Sequence, residues 1–553
     1  MTVITGKEAI MELFRQEGVE YVFGIPGATE VVFMDALEDH PEIKYILGLH
    51  EVVALGMAEG YSRISGKVGV VNLHTWAGLA ASTPMLLNAH LGGVPLVVTA
   101  GQQDTRLLMQ EPDLAGNLVG LASQFTKWST EVSHAADIPV AMRRAFKVAA
   151  QSPTGPVFVS LPQNLLDQSL DFENLPTTPA FARLRPDQEA INRAVELLIK
   201  AQTPLMIVGR GITKDEALSE IVKLAELIGA PVYHQWMGEV NFPTSHPQYL
   251  GDLDVLSSST REMLRSVDAL VVAGAPLFRH PFYLPEPLLT TNTKIIQIDN
   301  DPWQIAKNFP VAAGLVGNIK MSLTQLNEAL ENRMPEPARQ AAKTRAKDIA
   351  QEKETMAKAF LEEAWQEKDQ VPISASRLMQ ELKGAVKPDT IVVDDCWSPS
   401  GTLRRSLDFD EPMSYQRAAG GSIGWGVSGC LGAKLAAPDR PVVAVIGDGC
   451  AMWAIQSLWT AAHYNIPVTY LVCANASYEQ VKIMKHLLMG EKAKGRYLGM
   501  ELDEPRIDFC QLAQGMGIPG QKVEQPEELR KALKSALESD RPNLVEVYIA
   551  RAL

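Results

Sequence analysis

The strongest chemical signal in the chain is the stretch VVAVIGDGCAMWAIQSLWTAAHYNIPVTYLVCANAS, residues 442–477. An apolar run reaches Gly447-Asp448-Gly449, an apolar helical pattern follows directly, and a second apolar run ends at Asn475-Ala476-Ser477. Two glycines let the backbone approach an anion closely, and a helix start offers free N–H groups and positive potential to a phosphate. Asp448 carries the carboxylate that a hard Mg²⁺ ion prefers. Asn475, 27 positions on, can add an amide oxygen and Ser477 its backbone carbonyl. Two diphosphate oxygens and a water would then complete an octahedron. A lone GDG is often only a tight turn after a strand. Strand, helix, second strand and terminal asparagine together favour the metal–phosphate reading.

Three other residues invite a local reading, two of them in two ways. Glu51 stands at the tip of an apolar strand where a helix begins, and an acid there either stabilises the helix start or is presented for proton chemistry. His74 ends another apolar run. Such a histidine is commonly a satisfied structural residue, but a neutral imidazole with a reference pKa of about 6.5 also suits proton shuttling near neutrality. Ile423, among the glycines of Ala418-Ala419-Gly420-Gly421-Ser422-Ile423-Gly424, reads by itself as packing.

The elements that must hold these residues follow from the hydrophobic pattern. Helical stretches near 8–16, 30–37, 52–64 and from about 79 alternate with short apolar runs at 21–23, 45–49, 68–73, 95–99 and 157–161. Runs of this length between helical patterns predict a parallel sheet covered on both faces. A polar stretch, 167–178, closes this part. A second unit repeats the alternation with PLMIVG, a helix near 216–227, APVYHQ, ALVVAG and KIIQID. The charged region 331–370 predicts a solvated helical linker. A third unit carries IVVDD, VVAVIG, VTYLVC and LVEVYI. The expected fold is α/β, three doubly wound parallel-sheet domains over 1–172, 186–330 and 373–553, with the helical linker at 331–372.

Composition narrows the function. With 553 residues and 46% hydrophobic content, each domain can bury a core. A net charge of −14 argues against nucleic acid or an anionic membrane as partner. The start of the chain carries no secretory pattern and the uncharged stretch 418–433 is too short to span a bilayer, so a cytoplasmic protein is expected. Five cysteines without CxxC spacing predict neither a disulfide framework nor a zinc site.

At the GDG segment the chain resembles the thiamine-diphosphate-dependent enzymes, whose cofactor motif is GDG followed by an asparagine at this distance. Many relatives carry a pair of asparagines there, and Ala474 stands in place of one. The resemblance covers essentially the whole chain and is to the benzoylformate decarboxylase branch, through FGIPGATE, VVNLHTWAG, PLVVTAGQQDTR, NFPTSHP, VVAGAPLFR, AAGG and SLWTAAHYNIP. It implies thiamine diphosphate and Mg²⁺, with Asp448, Asn475 and Ser477 as metal ligands. Glu51, followed by the family-like GMAEGYSR, becomes the carboxylate that hydrogen-bonds the aminopyrimidine ring and promotes loss of the C2 proton. Ile423, 25 residues before Asp448, becomes the wedge that bends the cofactor, and Gly421 offers it a carbonyl. Ser398, Gly447, Gly449, Cys450 and Tyr478 complete the cofactor set. His74 and His280 are the implied proton-transfer groups. Ala28, Thr29, Trp76, Arg417, Val481 and Met484 are the implied substrate pocket.

The departures bear on the substrate. The benzoylformate decarboxylases grip the substrate carboxylate with a serine where this chain has Ala28. Their second pocket histidine falls at Pro281, beside His280. Arg417 replaces an aromatic residue, and it either meets an acidic substrate or pairs with a carboxylate such as Asp395. Benzaldehyde lyases, which cleave and join acyloins, also carry alanine in this turn. The resemblance therefore implies decarboxylation of a 2-oxo acid to an aldehyde, with carboligase activity. Its alternatives are an acyloin lyase or ligase acting on aldehydes, an acetolactate-synthase-like transferase, and a non-catalytic paralogue that keeps the fold. Gly209-Arg210-Gly211 lacks the third glycine of a dinucleotide fingerprint, so no FAD is expected. The family's cofactor lies between the first domain of one subunit and the third of another, which implies a dimer as the minimal unit and usually a tetramer.

Overall fold

The computed structural model of the protein describes residues 2–175, 183–235, 239–279, 283–493 and 495–552. Three six-stranded sheets carry the α/β fold expected from the pattern. They fall into two compact units: Met1–Ala180 with Lys368–Leu403 and Arg417–Leu553, and Phe181–Glu367 with Arg404–Gln416.

The first unit holds a two-stranded sheet and, except for Tyr415 and Gln416 of one edge strand, two of the six-stranded ones. In one, the strands Lys44–Leu47, Tyr21–Gly24, Gly69–Leu73, Leu96–Gln102, Val157–Pro162 and Trp128–Glu131 lie side by side in that order, every pair parallel. In the other the order is Tyr415–Arg417, Ile391–Asp395, Val442–Gly447, Thr469–Ala474, Asn543–Tyr548 and Gly520–Val523. Numbered within each sheet, both run 2-1-3-4-6-5, so the two are topological twins. Chain order reverses between the first and third strands of each. Ligands of open α/β sheets bind beyond the carboxyl ends of strands at such a reversal. Those ends are the Gly24 and Leu73 tips in one sheet and the Asp395 and Gly447 tips in the other. The central strands are buried runs of Val, Ile and Leu, as a sheet covered on both faces requires.

The two sheets share one core, which contains Val53, Leu55, Val71 and Val98 beside Val393, Leu431, Ile446 and Val472. Its seam is a close pairing of the helices Glu51–Ser65 and Trp425–Ala436. A Cβ at Gly60 would stand 2.1 Å from the Gly429 carbonyl oxygen, so backbone meets backbone there. The GMAEGYSR segment is thus an interface text. Glu59 and Arg63 form a buried pair at 2.6 Å, and the Arg63 guanidinium covers the Trp425 ring at 4.8 Å.

Several polar segments form structure that hydrophobic periodicity does not reveal. Thr2–Thr5 pairs antiparallel with Ser169–Phe172, inside the stretch read as merely polar. Trp128–Glu131 makes an edge strand with half-exposed side chains. The apolar helix expected to follow Gly449 directly is interrupted. Asp448–Ala451 is a single helical turn, and the helix resumes only at Ser457–His463.

The second unit is a sheet of strands Tyr249–Leu253, Val232–Gln235, Pro204–Val208, Ala269–Ala273, Lys294–Asp299 and Ala313–Val316, in order 3-2-1-4-5-6. Gly209 and Gly211 sit at its reversal, where a Cβ on either would meet Gly274 within 2.5–2.6 Å. Their missing side chains serve close backbone packing. The charged region forms the 31-residue helix Glu336–Gln366, mostly exposed but with Ala342, Ile349, Phe360 and Ala364 buried. Arg345 donates to the carbonyls of Ile228 and Gly229, and Lys353 to those of Thr244 and His246, so this helix is docked on the unit.

Candidate active site

Asp448 begins at the chain reversal of its sheet, and its carboxylate is tied into the facing loop. Oδ1 accepts from the Gly449 N–H at 2.7 Å, and Oδ2 from those of Asn475 at 3.0 Å and Ala476 at 2.6 Å. Asp448, Asn475 and Ser477 are each 5% exposed. Burial pushes the Asp448 carboxyl above its ordinary range, while these backbone N–H groups pull it down. Asn475 Nδ2 donates to Glu479 at 2.7 Å, which turns Oδ1 away, where it accepts from the Ser477 N–H at 3.1 Å. Ala476 holds φ +52°, a left-handed conformation that costs a non-glycine residue about 1–2 kcal/mol. Gly449 has no alternative residue: a Cβ would stand 2.4 Å from the Tyr478 ring. A buried carboxylate, an amide oxygen and a backbone carbonyl are hard donors, and they fit Mg²⁺.

The loop carrying Ile423 is clamped from two sides. Asn88 accepts from the Ser422 N–H at 3.1 Å and donates to its carbonyl at 3.0 Å. Asp395 Oδ2 accepts from the N–H groups of Gly424 at 2.8 Å and Gly426 at 3.1 Å. Gly421 and Gly424 take φ of +82° and +88°, and Ile423 between them is only partly buried. Burial pushes Asp395 up to about 7, and it raises the neighbouring Cys450 thiol as well. Arg417, expected in the substrate pocket, is buried. Its guanidinium pairs with Asp394 at 3.0 Å and with the Ser400 hydroxyl, and lies 4.9 Å over Trp397. The carboxylate paired with it is Asp394, and its charge also acts on Asp395. The five cysteines are free thiols.

In the twin sheet, Glu51 is the first residue of its helix, capped by His50, which accepts from the Val52 N–H. Gly78, one turn into the helix Thr75–Gly92, leaves space for the Glu51 carboxylate, whose Oε1 would lie 3.3 Å from a Cβ there. His50 Nδ1 lies 3.8 Å from Glu51 Oε2. His74 immediately precedes the Thr75–Gly92 helix. Its Nδ1 lies 2.7 Å from Glu30 Oε2, and Glu30 is 1% exposed. That carboxylate also accepts from Gly27 N–H at 3.0 Å, Gly101 N–H at 2.8 Å and the Thr29 hydroxyl at 2.8 Å. Against a carboxylate, Nδ1 carries the ring proton and Nε2 is left as the base. A Cβ at Gly27 would fall 2.0 Å from His74 Nδ1, so only glycine admits the ring to this turn. Thr75 is buried at φ +45° with its hydroxyl unpartnered, a strained β-branched residue where the strand ends.

The structure thus gathers Ala28, Thr29 and His74 at one reversal, with Trp76, 48% exposed, two residues on. It gathers Gly447, Asp448, Gly449, Cys450, Asn475, Ser477 and Tyr478 at the other. Val481 and Met484 lie on the helix Glu479–Met489 that follows the loop Asn475–Ser477. Ser398 is in the turn after Ile391–Asp395. His280 lies outside the described residues. Glu30, Asn88, Thr75 and Glu479 escaped the sequence reading. Glu30 accepts from the Gly27 N–H three residues before it, but glycine lacks the side chain of a capping box, so no sequence signal marked it.

Comparison with known proteins places this pair of sites in a class. The sequence matches the N-terminal TPP binding domain of thiamine pyrophosphate enzymes over residues 4–117, their central domain over 191–326, and their C-terminal TPP binding domain over 399–547. The chain belongs to the thiamine pyrophosphate enzyme family. It is 32% identical to benzoylformate decarboxylase of Pseudomonas aeruginosa, over 98% of each chain. It is 28% identical to a probable acetolactate synthase large subunit of Methanococcus aeolicus, over 99% of this chain and 92% of that one. The solved structure of a thiamine diphosphate-dependent 4-hydroxybenzoylformate decarboxylase from Rhodococcus jostii superposes with a TM-score of 0.85, at 30% identity and 99% coverage of both chains.

Proposed function

We propose that the protein is a non-oxidative decarboxylase of an aryl 2-oxo acid that releases an aldehyde and also joins aldehydes. The observation that carries this reading is the His74–Glu30 pair at 2.7 Å, set in the turn that also presents Ala28 and Thr29. Thiamine diphosphate, when bound, supplies a nucleophilic carbon and an electron sink for the bond that breaks. Asp448, Asn475 and Ser477 would hold its Mg²⁺ and diphosphate, Ile423 would support its bend, and Glu51 would accept a hydrogen bond from its aminopyrimidine. His74, with Nε2 as the base, moves protons to and from the substrate oxygen and carbon. Trp76, Val481 and Met484 supply apolar walls suited to an aryl group.

A joining activity is favoured by one feature, the exposed methyl of Ala28, which offers a substrate carboxylate no hydroxyl and leaves room for a second aldehyde. We further propose that the working form is at least a dimer. Exposed apolar side chains flank both sites, Leu49 and Trp76 near Glu51, and Met452, Trp453 and Val481 near Asp448, and a second copy would cover them. Among the described residues, no helix is long and apolar enough to cross a membrane.

The test is a panel of aryl, alkyl and acidic 2-oxo acids, alongside aldehydes alone, with thiamine diphosphate and Mg²⁺. Aldehyde and CO₂ from benzoylformate-like acids are expected, and none without Mg²⁺. Turnover confined to pyruvate, giving acetolactate, would replace this reading with the transferase. Turnover of aldehydes alone would replace it with the acyloin ligase.

A further inference from the structure

The backbone of the metal loop is held by a group 76 residues downstream of Asn475. Beyond the strand Asn543–Tyr548 the chain runs on beside the loop, with the Ile549 N–H donating to the Ala474 carbonyl at 3.0 Å. Arg551 then places its guanidinium behind the metal ligands. Nε donates to the Asn475 carbonyl at 2.8 Å and one terminal nitrogen to the Ala476 carbonyl at 3.0 Å. The same guanidinium meets Glu501 at 3.2 Å and Asp503 at 3.3 Å. These two carboxylates belong to a segment laid across the loop, where the Leu502 N–H donates to the Ala476 carbonyl at 2.9 Å and the Tyr478 N–H to the Met500 carbonyl at 2.9 Å.

The Ala476 peptide is therefore gripped on both sides. Its N–H is taken by Asp448 and its carbonyl by Arg551 and Leu502, although its φ of +52° is one an alanine avoids. A second link runs through Glu479, 3% exposed. One of its oxygens accepts from Asn475 Nδ2 at 2.7 Å and the other from the Ala552 N–H at 2.5 Å. Residues 551–552 thus reach the metal-ligand candidate Asn475 twice, once through its own carbonyl and once through its side-chain amide.

We propose that Arg551 is a positioning residue for the Mg²⁺–diphosphate loop, fixing the strained Ala476 peptide so that Asn475 Oδ1 and the Ser477 carbonyl converge with Asp448. This inference rests on the thiamine-diphosphate reading of the site. Groups that orient metal ligands without touching the metal are commonly worth about 10–100-fold in metal affinity. A planar guanidinium serves two carbonyls and two carboxylates at fixed angles, which a lysine ammonium does not.

The experiment uses the full chain, stripped of metal with a chelator and titrated with Mg²⁺ at fixed thiamine diphosphate. Quenching of tryptophan fluorescence reports binding, and the melting temperature of each metal-free protein is measured alongside. Arg551→Ala is expected to weaken the apparent Mg²⁺ affinity by about 10–100-fold with little change in metal-free melting. Arg551→Lys, which keeps a charge for Glu501 and Asp503, should fall between the alanine variant and the native protein. Lys522→Ala, which removes a surface cation paired with Asp508 in the same domain, should match the native protein. Native Mg²⁺ affinity in Arg551→Ala would overturn the proposal. So would an affinity loss that appears in both Arg551 variants only together with collapse of metal-free melting, since that is a purely structural role. A native protein that shows no Mg²⁺-dependent cofactor binding would overturn the underlying reading of the site, and the proposal with it.

Discussion

Replacing Glu30 by glutamine tests the proton-transfer apparatus at its least obvious point. The native carboxylate accepts four hydrogen bonds, Oε1 from Gly101 N–H and the Thr29 hydroxyl, Oε2 from Gly27 N–H and His74 Nδ1–H. An amide of the same shape reproduces only one side of this set. If its oxygen serves Gly101 and Thr29, its NH₂ faces Gly27 N–H and His74. The imidazole must then accept at Nδ1 and carry its proton on Nε2, so the base is lost through the wrong tautomer. The bond removed is one to a charged group, worth about 1.5–3 kcal/mol, which is roughly 10–100-fold in kcat/KM when it acts in the transition state. Gly27 N–H also loses its acceptor, so a stability loss of about 1–3 kcal/mol accompanies the rate effect. Steady-state decarboxylation of the best 2-oxo acid substrate is the assay, with His74→Ala and the double variant alongside. Because the two residues act as one unit, the double variant should be little worse than His74→Ala alone. Activity of Glu30→Gln within twofold of native, or full additivity of the two losses, would refute this role.

Two further outcomes follow from named groups. Ala28→Ser should raise decarboxylation of benzoylformate by about 10–100-fold, the worth of a hydrogen bond to its carboxylate, and depress aldehyde joining. Fast native decarboxylation that the serine leaves unchanged or slows would contradict this, as measured by steady-state rates of both reactions. Asp395 titrates near 7 in the folded protein, against about 3.9 unfolded. The folded state holds this proton more tightly, so its stabilising contribution is complete below pH of about 4 and lost as pH rises to about 7. Metal-free Asp395→Asn should therefore melt with a flatter pH dependence across that window. A slope equal to the native one would place the titration elsewhere.

What could be read from sequence was whatever periodicity and local spacing encode. The three sheets announce themselves as runs such as VVAVIG and ALVVAG, because a strand covered on both faces has no polar side to disguise it. Asp448 and Asn475 were legible because the strands that present them are neighbours, in parallel register from Val443–Thr469 to Gly447–Cys473. Edge and fastening strands such as Thr2–Thr5 and Trp128–Glu131 were not, since their polar side chains face solvent and pairing alone makes them strands. Glu30 was hidden for a different reason. A charged residue opening an amphipathic helix reads as solvated, and its burial is visible only once Gly27, Gly101 and His74 converge on it from three separate strand ends. Arg417 stayed open between two readings, because its partners Asp394 and Ser400 come from another strand and the helix start that follows it. Arg551 and Glu479 act on the metal loop through backbone carbonyls and an amide, contacts that leave no mark on residue type.

Glu51 is the group proposed to activate the cofactor. The measurement is the rate of C2 proton exchange of thiamine diphosphate, by acid-quench NMR in D₂O, in native protein and in Glu51→Gln, both loaded with Mg²⁺. Exchange in the native protein should be far faster than in free cofactor. The glutamine variant should lose it by several orders of magnitude while still binding cofactor, because a neutral amide cannot do the carboxylate's work at the aminopyrimidine. Equal exchange in the two proteins would show Glu51 to be only an acid at the start of a helix, and native exchange no faster than in free cofactor would contradict thiamine catalysis at this site.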